Sequence, residues 1–338
     1  MNEIGSGAAV FGCESLALTE NERDFFRDYD PFGFIIFARN VDNPEQLRRL
    51  TLDLRDAVGR DAPILIDQEG GRVQRLRAPH WREWLPPLDA IRLAGPNAAR
   101  VMALRSTLIA AELRAVGIDA SCAPVADIAD ETTHPFLRNR CYGHSVLDVT
   151  AIARAVADAY LLAGVLPVVK HMPGHGRSQN DTHHDLPTVT VDRATLLRTD
   201  FAPFRALADL PMAMTAHIIF SAYDSVRPAT QSPAMIRAIR DEIGFQGLLL
   251  TDDLNMQALA GSLADRTAAS IAAGCDIALH CKGDLTEMQA VARSAGNMCV
   301  ATRGRAEAAI ARRHAPEPVD IRALEDELLA IQYGSVDV

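Results

Sequence analysis

The chain has 338 residues, of which 48% are hydrophobic, and its formal net charge is −10. This length and apolar content suit one large folded domain, whereas the negative charge argues against a nucleic-acid partner, because phosphate binding needs a basic face. The most apolar stretch, residues 159–169, contains Pro167 and falls far short of the ~20 residues that a membrane-spanning helix needs, so we expect no membrane partner.

Short apolar runs recur along the chain and predict eight strands. Most runs are continuously apolar rather than alternating, which is typical of parallel strands that are buried on both faces of a sheet. In chain order the predicted strands are 8–11, 33–37, 63–67, 118–123, 166–171, 212–217, 248–252 and 276–280.

Amphipathic stretches between these runs predict helices. The clearest is 44–58, where apolar residues recur on one face, Asn43 can cap the first turn and Pro44 fits the first helical position. Gln46 completes a pattern that resembles a capping box. Further helices are predicted at 99–116, at 151–164, at 191–207 with a break around Pro203, at 233–243 with Ser232 as a candidate cap, and at 319–332.

The alternation of eight strands with helices predicts an α/β fold, the (β/α)8 TIM barrel. A doubly wound open sheet is the alternative, but no Gly-x-Gly-x-x-Gly sequence follows an early strand, which disfavours its dinucleotide-binding version. No linker divides the chain, so we expect a single domain over residues 1–338, with a C-terminal helical segment at about 316–334.

The cysteines and the first residues predict a cytoplasmic protein. The six cysteines include no Cys-x-x-Cys pair and mostly lie in or beside apolar runs, so we expect buried free thiols and no zinc site. Residues 1–7 lack the basic and apolar regions of a secretory signal. We further expect the protein to be a monomer.

Polar residues stand at the C-terminal ends of most predicted strands, which is where (β/α)8 barrels place their catalytic groups. We therefore expect these side chains to converge on one mouth of the barrel. They are Asp67, Gln68 and Glu69 after the third strand, Asp127 after the fourth, Lys170 and His171 at the fifth, His217 at the sixth, Asp252 and Asp253 at the seventh, and His280 at the eighth.

The densest cluster of reactive side chains is the segment 170–183, which contains Lys170, three histidines and Asp181. Lys170 is one of only two lysines, although base composition alone would also explain that rarity. Asp181 stands two residues before His183, and a carboxylate close to an imidazole makes it a proton shuttle near neutral pH. His184 and Asp185 stand next to this pair, so the pattern leaves open which histidine works, and a chance loop contact is the alternative.

Asp252 closes a buried strand, where a carboxylate is costly unless it is paired or used. We interpret it as a nucleophile or an electrostatic stabiliser, the alternative being a cap for the next helix. Because neighbouring residues of a strand face opposite ways, we expect only one of Asp252 and Asp253 to point into the mouth.

Residues 67–75 combine Asp67 and a second carboxylate with two turn glycines, Arg75 and a second arginine. Such planar polar groups bind sugar hydroxyls, although an ion-pair network at the barrel rim is the structural alternative. Arg140, on the loop after the fourth strand, is ambiguous by itself.

The histidines and aspartates also suit a metal-dependent amidohydrolase, which is likewise a barrel. Such sites usually have a His-x-His at the end of the first strand, whereas that strand here ends in FGCE. We therefore expect no metal.

Six motifs together resemble glycoside hydrolase family 3, and within it the NagZ-type β-N-acetylglucosaminidases (β-hexosaminidases) of bacteria. They are IDQEGGRVQRL at 66–76, APVAD at 123–127, NRCYG at 139–143, KHMPGHG at 170–176 with DTH at 181–183, MTAHIIF at 214–220 and GFQGLLLTDDLNM at 244–256. The resemblance extends over roughly the first 290 residues and implies a single (β/α)8 domain. Met172 and Cys141-Tyr142 depart from the residues usual in the family.

The resemblance implies roles for individual residues. Asp252 is similar to the family's nucleophile, and His183 to its general acid/base with Asp181 as partner. The residues that would hold the sugar are Asp67, Arg75, Arg140, Lys170 and His171. The implied reaction is retaining hydrolysis of terminal non-reducing β-N-acetylglucosaminides without metal or cofactor, on muropeptides that carry N-acetylglucosamine linked to anhydro-N-acetylmuramic acid, during peptidoglycan recycling.

Two further functions remain open from the sequence. A β-N-acetylglucosaminide phosphorylase on the same scaffold is one, because a histidine donor repels phosphate less than a carboxylate does. A sugar-sensing protein built on a decayed enzyme is the other, although Asp181, His183 and Asp252 are all in place.

Overall fold

The computed structural model describes residues 4–178 and 186–333. Parallel strands close into a barrel within these residues, which confirms the predicted (β/α)8 fold. The barrel strands are β1 (Gly7–Phe11), β2 (Pro31–Ile36), β3 (Ile64–Ile66), β4 (Ala120–Ser121), β5 (Leu166–Met172), β6 (Met212–Thr215), β7 (Leu248–Asp253) and β8 (Ile277–His280). Each strand pairs with the next one, and β8 pairs with β1 to close the ring.

The barrel strands are buried on both faces, as their continuous apolar sequences predict. Every residue of β1 to β6 and of β8 is buried. Asp252 and Asp253, at the carboxyl end of β7, are the two barrel-strand residues that keep partial exposure. The barrel interior is therefore a packed core, and partial exposure begins at the carboxyl end of β7.

Helices surround the barrel. Their bounds are Glu20–Tyr29, Pro44–Val58, Pro87–Ala94, Ala98–Ala115, Pro135–Arg138, Val146–Leu162, Arg193–Arg198, Ala202–Ala206, Pro233–Ala238, Leu263–Ala273, Leu285–Ala295, Val300–Ile310 and Ile321–Tyr333. In the helix Pro44–Val58, the Asn43 side chain accepts the backbone N–H groups of Glu45 and Gln46, so the predicted cap is confirmed.

Some predicted helices differ in detail. The stretch 191–207 forms two helices that are separated by 199–201, and Pro203 lies in the first turn of the second one, where a missing N–H is tolerated. Ser232 caps Pro233–Ala238, and that helix continues as a π-helical turn at Ile239–Ile243. Gln46 accepts the N–H of Asp42 rather than that of the capping residue, so the capping box is incomplete.

Two β-bulges lie where the predicted site residues are. The register between β7 and β8 shifts by one residue between Leu250 and Asp253, and the register between β5 and β6 shifts by one between Val169 and Met172. A bulge breaks the alternation of side chains and is frequent beside active sites. Consecutive residues at the ends of β5 and β7 therefore need not face opposite sides.

The C-terminal helix Ile321–Tyr333 packs on the helix Ala98–Ala115. Arg100 bonds both carboxylate oxygens of Glu327 across this contact, at 2.6 Å each. The extent of the domain over the whole chain stays a prediction. Among the described residues, no helix combines the length and the apolar character that crossing a membrane requires.

Candidate active site

A cavity of about 150 Å³ opens at the carboxyl ends of the barrel strands. A water-sized atom needs roughly 10–15 Å³ of such space, so the cavity accommodates on the order of ten to fifteen heavy atoms, the size of one substituted sugar ring. Its described lining consists of Ile35, Phe37, Asp67, Val73, Arg75, His134, Phe136, Leu137, Arg140, Lys170, His171, His175, Met214, Asp252, Asp253, Met256, Leu279 and Cys281.

Asp67 is held between two cations at one side of the cavity. Lys170 Nζ donates to Asp67 Oδ1 at 2.7 Å, and Arg75 Nη2 donates to Oδ2 at 2.9 Å. Burial alone would raise the pKa of Asp67, but the charges of Lys170 and Arg75 outweigh it and hold that pKa well below its usual value. Asp67 is therefore ionised near neutral pH and can accept hydrogen bonds from hydroxyl groups.

Glu69 lies behind the lining side chains and connects Lys170 to Arg140. Its carboxylate has no exposed area, accepts two hydrogen bonds from Arg140 at 2.8 Å each and lies 2.7 Å from Lys170 Nζ. The expectation that Glu69 converges on the mouth was wrong, because both of its oxygens are used to brace these two cations. A bidentate pair of this kind fixes the plane of the guanidinium as well as its position.

His171 is oriented by a second buried carboxylate, that of Asp127. His171 Nδ1 lies 2.7 Å from Asp127 Oδ2, while Asp127 Oδ1 accepts the backbone N–H groups of His171 at 3.3 Å and His175 at 2.7 Å. Burial works against the charge on Asp127, but the neighbouring His171 brings its pKa below the usual value. The ring of His171 consequently presents Nε2 towards Arg140 and the cavity, 3.4 Å from Arg140 Nη2.

Asp252 has a carboxylate oxygen that is left for a ligand. Its Oδ1 accepts the N–H of Asp253 at 2.8 Å, and no other hydrogen bond reaches this carboxylate from the described residues. Burial opposes its ionisation, but the electrostatic influence of His171 and the hydrogen bond from the backbone N–H of Asp253 lower its pKa below the usual value. An ionised carboxylate with a free oxygen in a largely buried cavity is suited to act as a nucleophile.

Asp253 also lines the cavity, so the expectation that only one of the two aspartates would do so was wrong. The bulge in β7 is the reason, because it interrupts the alternation of side chains. Asp253 Oδ1 accepts the backbone N–H groups of Asn255 at 3.1 Å and Cys281 at 3.2 Å. Its carboxylate thus ties the end of β7 to the end of β8. Burial raises its pKa to about 6.

Six of the predicted site residues line this one cavity: Asp67, Arg75, Arg140, Lys170, His171 and Asp252. Arg140, which was ambiguous in the sequence, faces the cavity from the loop that precedes the helix Val146–Leu162. Asp181 and His183 lie outside the described residues. The chemical roles of all eight stay predictions.

Two histidines at strand ends do not line the cavity, contrary to the expectation of convergence. His280 is fully buried; its Nδ1 lies 3.1 Å from Asn255 Nδ2, and its ring packs edge-on against Phe11 with the centroids 6.2 Å apart. His217 is buried beneath the end of β7, where it contacts the backbone of Asp253.

Apolar and aromatic lining residues were missed in the sequence. Phe37 lies beneath Arg75, with the guanidinium carbon 5.1 Å from the ring centroid, and Phe136 lies in the same way 5.6 Å from Arg140. Each ring makes a cation–π contact with an arginine that also forms an ion pair with a carboxylate. Neither phenylalanine stands in a polar motif, so the pattern that identified the other residues gives no signal for them.

Within residues 4–178 and 186–333, no group of three or more His, Cys, Asp or Glu side chains is arranged to hold a metal ion. The amidohydrolase alternative would also use residues that lie outside that range: Asp181, His183, His184 and Asp185.

The sequence of this chain is similar to those of known proteins. Residues 10–312 match the family model described as the glycosyl hydrolase family 3 N-terminal domain. A protein named beta-hexosaminidase from Bordetella avium is 38% identical over 276 residues, which are 78% of this chain and 77% of that protein. A beta-hexosaminidase from Methylococcus capsulatus is 38% identical over 270 residues, covering 78% of this chain and 79% of its own.

Among solved structures, the fold is similar to that of native NagZ from Neisseria gonorrhoeae. The TM-score is 0.83 at 28% identity, over 98% of this chain and 97% of that one. A family 3 beta-N-acetylglucosaminidase from a Paenibacillus species gives a TM-score of 0.85 at 28% identity, over 96% of this chain and 67% of that one.

Proposed function

The chain belongs to glycosyl hydrolase family 3, and from that membership we propose that it is a retaining β-N-acetylhexosaminidase acting on terminal non-reducing β-N-acetylglucosaminides. It is a glycoside hydrolase by family. The observation that carries the finer proposal is the cavity that Asp252 lines together with Asp67, Arg140, Lys170 and His171, where one Asp252 oxygen accepts no hydrogen bond from the described residues. The names of the curated relatives support a hexosaminide substrate, and that of the Paenibacillus enzyme supports an N-acetylated one.

In the proposed complex, Asp67 accepts hydrogen bonds from neighbouring sugar hydroxyls. Lys170 and Arg75 keep its carboxylate ionised and fix both oxygens. Arg140 and His171 supply further polar groups to the same ring, and each is itself held by a buried carboxylate. Because these groups are already oriented before the sugar arrives, little conformational entropy is lost on binding.

The first chemical step forms a covalent intermediate. The free oxygen of Asp252 attacks the anomeric carbon, and the bond from that carbon to the leaving-group oxygen breaks. His183 donates a proton to this oxygen, so that the aglycone leaves as an alcohol and the sugar is held as an ester of Asp252. His183 and its partner Asp181 lie outside the described residues, so this assignment rests on the sequence.

The second step returns the enzyme to its initial state. Neutral His183 takes a proton from a water molecule, whose oxygen attacks the anomeric carbon while the ester bond to Asp252 breaks. The sugar leaves with the β-configuration retained, because two displacements have occurred at the same carbon. A histidine suits this exchange since its unperturbed pKa, about 6.5, lies near neutral pH.

We further propose that the substrates are muropeptides met in the cytoplasm during peptidoglycan recycling, and that the enzyme acts as a monomer. All six cysteines are in the described part of the chain and none has a disulfide partner there, which suits a reducing compartment.

The test compares hydrolysis of a chromogenic N-acetyl-β-glucosaminide with that of the matching β-glucoside. The proposal expects a strong preference for the N-acetylated sugar, and a product whose initial anomer is β. Equal turnover of both sugars would contradict the substrate class, whereas an initial α-anomer would contradict the retaining mechanism. Phosphate-dependent release of a sugar 1-phosphate would identify a phosphorylase instead.

A further inference from the structure

His217 makes a hydrogen bond with each of its two ring nitrogens. Nε2 lies 3.1 Å from the backbone carbonyl oxygen of Asp253, and Nδ1 lies 2.8 Å from the hydroxyl oxygen of Thr230. A carbonyl oxygen only accepts, so Nε2 carries a proton and donates it to Asp253. Burial lowers the pKa of His217, and although the charge of Asp252 acts in the opposite direction, the pKa stays below its usual value. The ring is therefore neutral, with Nδ1 as an acceptor.

Thr230 fixes this tautomer from the other side of the ring. Its hydroxyl has one proton, which can go to Nδ1 of His217 or to the carbonyl of Ala216, 3.1 Å away. Because Nδ1 of the neutral ring has no proton, the Thr230 hydroxyl must donate to it. The Thr215 hydroxyl, 2.8 Å from that of Thr230, then completes the chain by donating to Thr230. All three residues are buried, so water does not compete for these bonds.

The acceptor of the His217 proton belongs to the residue that orients Asp252. The N–H of Asp253 holds Asp252 Oδ1, while its carbonyl oxygen receives the bond from His217. The β-bulge lies at this point of β7, where the ladder between strands is disrupted. The side chain of His217, just beyond the end of β6, therefore holds a part of the β7 backbone that regular strand pairing does not hold.

We propose that His217 is a positioning residue for the nucleophile. It anchors the peptide group that follows Asp253, and through the backbone of Asp253, whose N–H holds Asp252 Oδ1, it sets the direction of the attacking carboxylate oxygen. The inference rests on the proposed function, in which Asp252 attacks the anomeric carbon. His217 does not line the cavity, so it acts through the backbone of Asp253 rather than on the sugar.

The experiment compares His217→Leu, which removes the donor, with His217→Gln, whose side-chain amide can donate from the position of Nε2. A displacement of about 1 Å in a reacting group costs on the order of 100-fold in rate. His217→Leu is therefore expected to lower kcat by about 100-fold, and His217→Gln to recover most of that loss. The dissociation constant for N-acetylglucosamine should be unchanged in both variants, because Asp67, Arg140 and Lys170 are untouched.

Two further variants complete the design. Thr230→Val removes the hydroxyl that fixes the tautomer with little change of shape, so it should lower kcat without changing sugar binding. His280→Leu is the matched control: it removes another buried histidine at a strand end, outside the cavity lining, and should leave kcat within a few-fold of the wild type. If His217→Leu does not fold, as judged by circular dichroism, Thr230→Val provides the same test.

Three outcomes would overturn the inference: wild-type kcat in a folded His217→Leu or Thr230→Val variant, equal loss in the Leu and Gln variants, or a parallel loss of sugar binding. Failure of the proposed function would look different, because the wild type would then not hydrolyse the N-acetylated sugar, or Asp252→Ala would remain active. An inactive Asp252→Ala variant beside a fully active His217→Leu variant rejects only the role of His217.

Discussion

Lys170 and Asp67 are 103 residues apart in the chain, yet Lys170 Nζ lies 2.7 Å from Asp67 Oδ1 at the mouth of the barrel. The same ammonium lies 2.7 Å from Glu69 Oε1. The ammonium group of Lys170 thus pairs with two carboxylates: that of Asp67, which faces the cavity, and that of Glu69, which lies behind it. The charges of both carboxylates raise the pKa of Lys170 although burial works to lower it, so it stays protonated.

Lys170→Met should weaken both folding and sugar binding. Removing one partner of a buried ionic network typically costs about 3–5 kcal/mol, because the remaining charges stay buried without compensation. We expect that loss in the free energy of unfolding, measured by denaturant titration, together with a large rise in KM. The other lysine provides the control: Lys282 pairs with Glu287 at the surface, so Lys282→Met should change neither quantity measurably. Equal effects of the two substitutions would contradict the network.

Asp252→Ala should abolish turnover while N-acetylglucosamine still binds, because the sugar contacts are made by other residues. Azide added to this variant should restore product formation from a substrate with a good leaving group. The product should then be the α-glycosyl azide, since a single displacement inverts the anomeric carbon. Asp253→Asn is the neighbouring control and should keep measurable turnover, because an amide oxygen can still accept from Asn255 and Cys281. A β-configured azide product would refute the assignment of Asp252.

His183→Ala should slow substrates with poor leaving groups by far more than those with good ones. A leaving group that is a strong base needs a proton during bond cleavage, whereas nitrophenolate does not. The ratio of kcat/KM for alkyl and nitrophenyl glycosides measures this difference. His184→Ala is the control for the adjacent histidine and should leave that ratio at its wild-type value. If both leaving groups suffer equally in His183→Ala, His183 is not the proton donor.

Glu69 should contribute stability that disappears in acid. Burial alone would raise the pKa of Glu69, but Arg140 and Lys170 lower it to about 2 in the folded protein, against about 4.3 in an unfolded chain. A depressed carboxylate pKa stabilises the fold above the unfolded value, and this contribution is lost as the pH falls towards the folded value. A shift of this size corresponds to about 3 kcal/mol.

The measurement is the free energy of unfolding of wild type and of Glu69→Gln between pH 7 and pH 2.5. The difference between them should be constant above about pH 5 and shrink steadily below about pH 4.5. Glu83→Gln, which removes an exposed carboxylate paired with Arg77, should show no such dependence. A difference that is independent of pH would mean that the charge of Glu69 is not what stabilises the fold.

The sequence alone determined the barrel and most of the charged residues around its cavity. Continuous apolar strands have a local signature, and the polar residues that end them, such as Asp67, Lys170 and Asp252, are contiguous with those strands in the chain. The family resemblance added Arg140, whose loop carries no periodic signal. It also selected His183, with Asp181, between the two adjacent histidines that the pattern left open.

Only the tertiary structure decided which of those polar residues face the cavity and which support it. Where the register of β5 and of β7 shifts, two consecutive residues line the same opening, against the alternation expected of a regular strand: Lys170 with His171, and Asp252 with Asp253. Glu69 turns away because Arg140, 71 residues further along, takes both of its oxygens. Bulges and ion pairs depend on contacts between segments that are distant in the chain. A buried charged side chain packs next to its counter-charge, and the sequence does not show where that counter-charge lies.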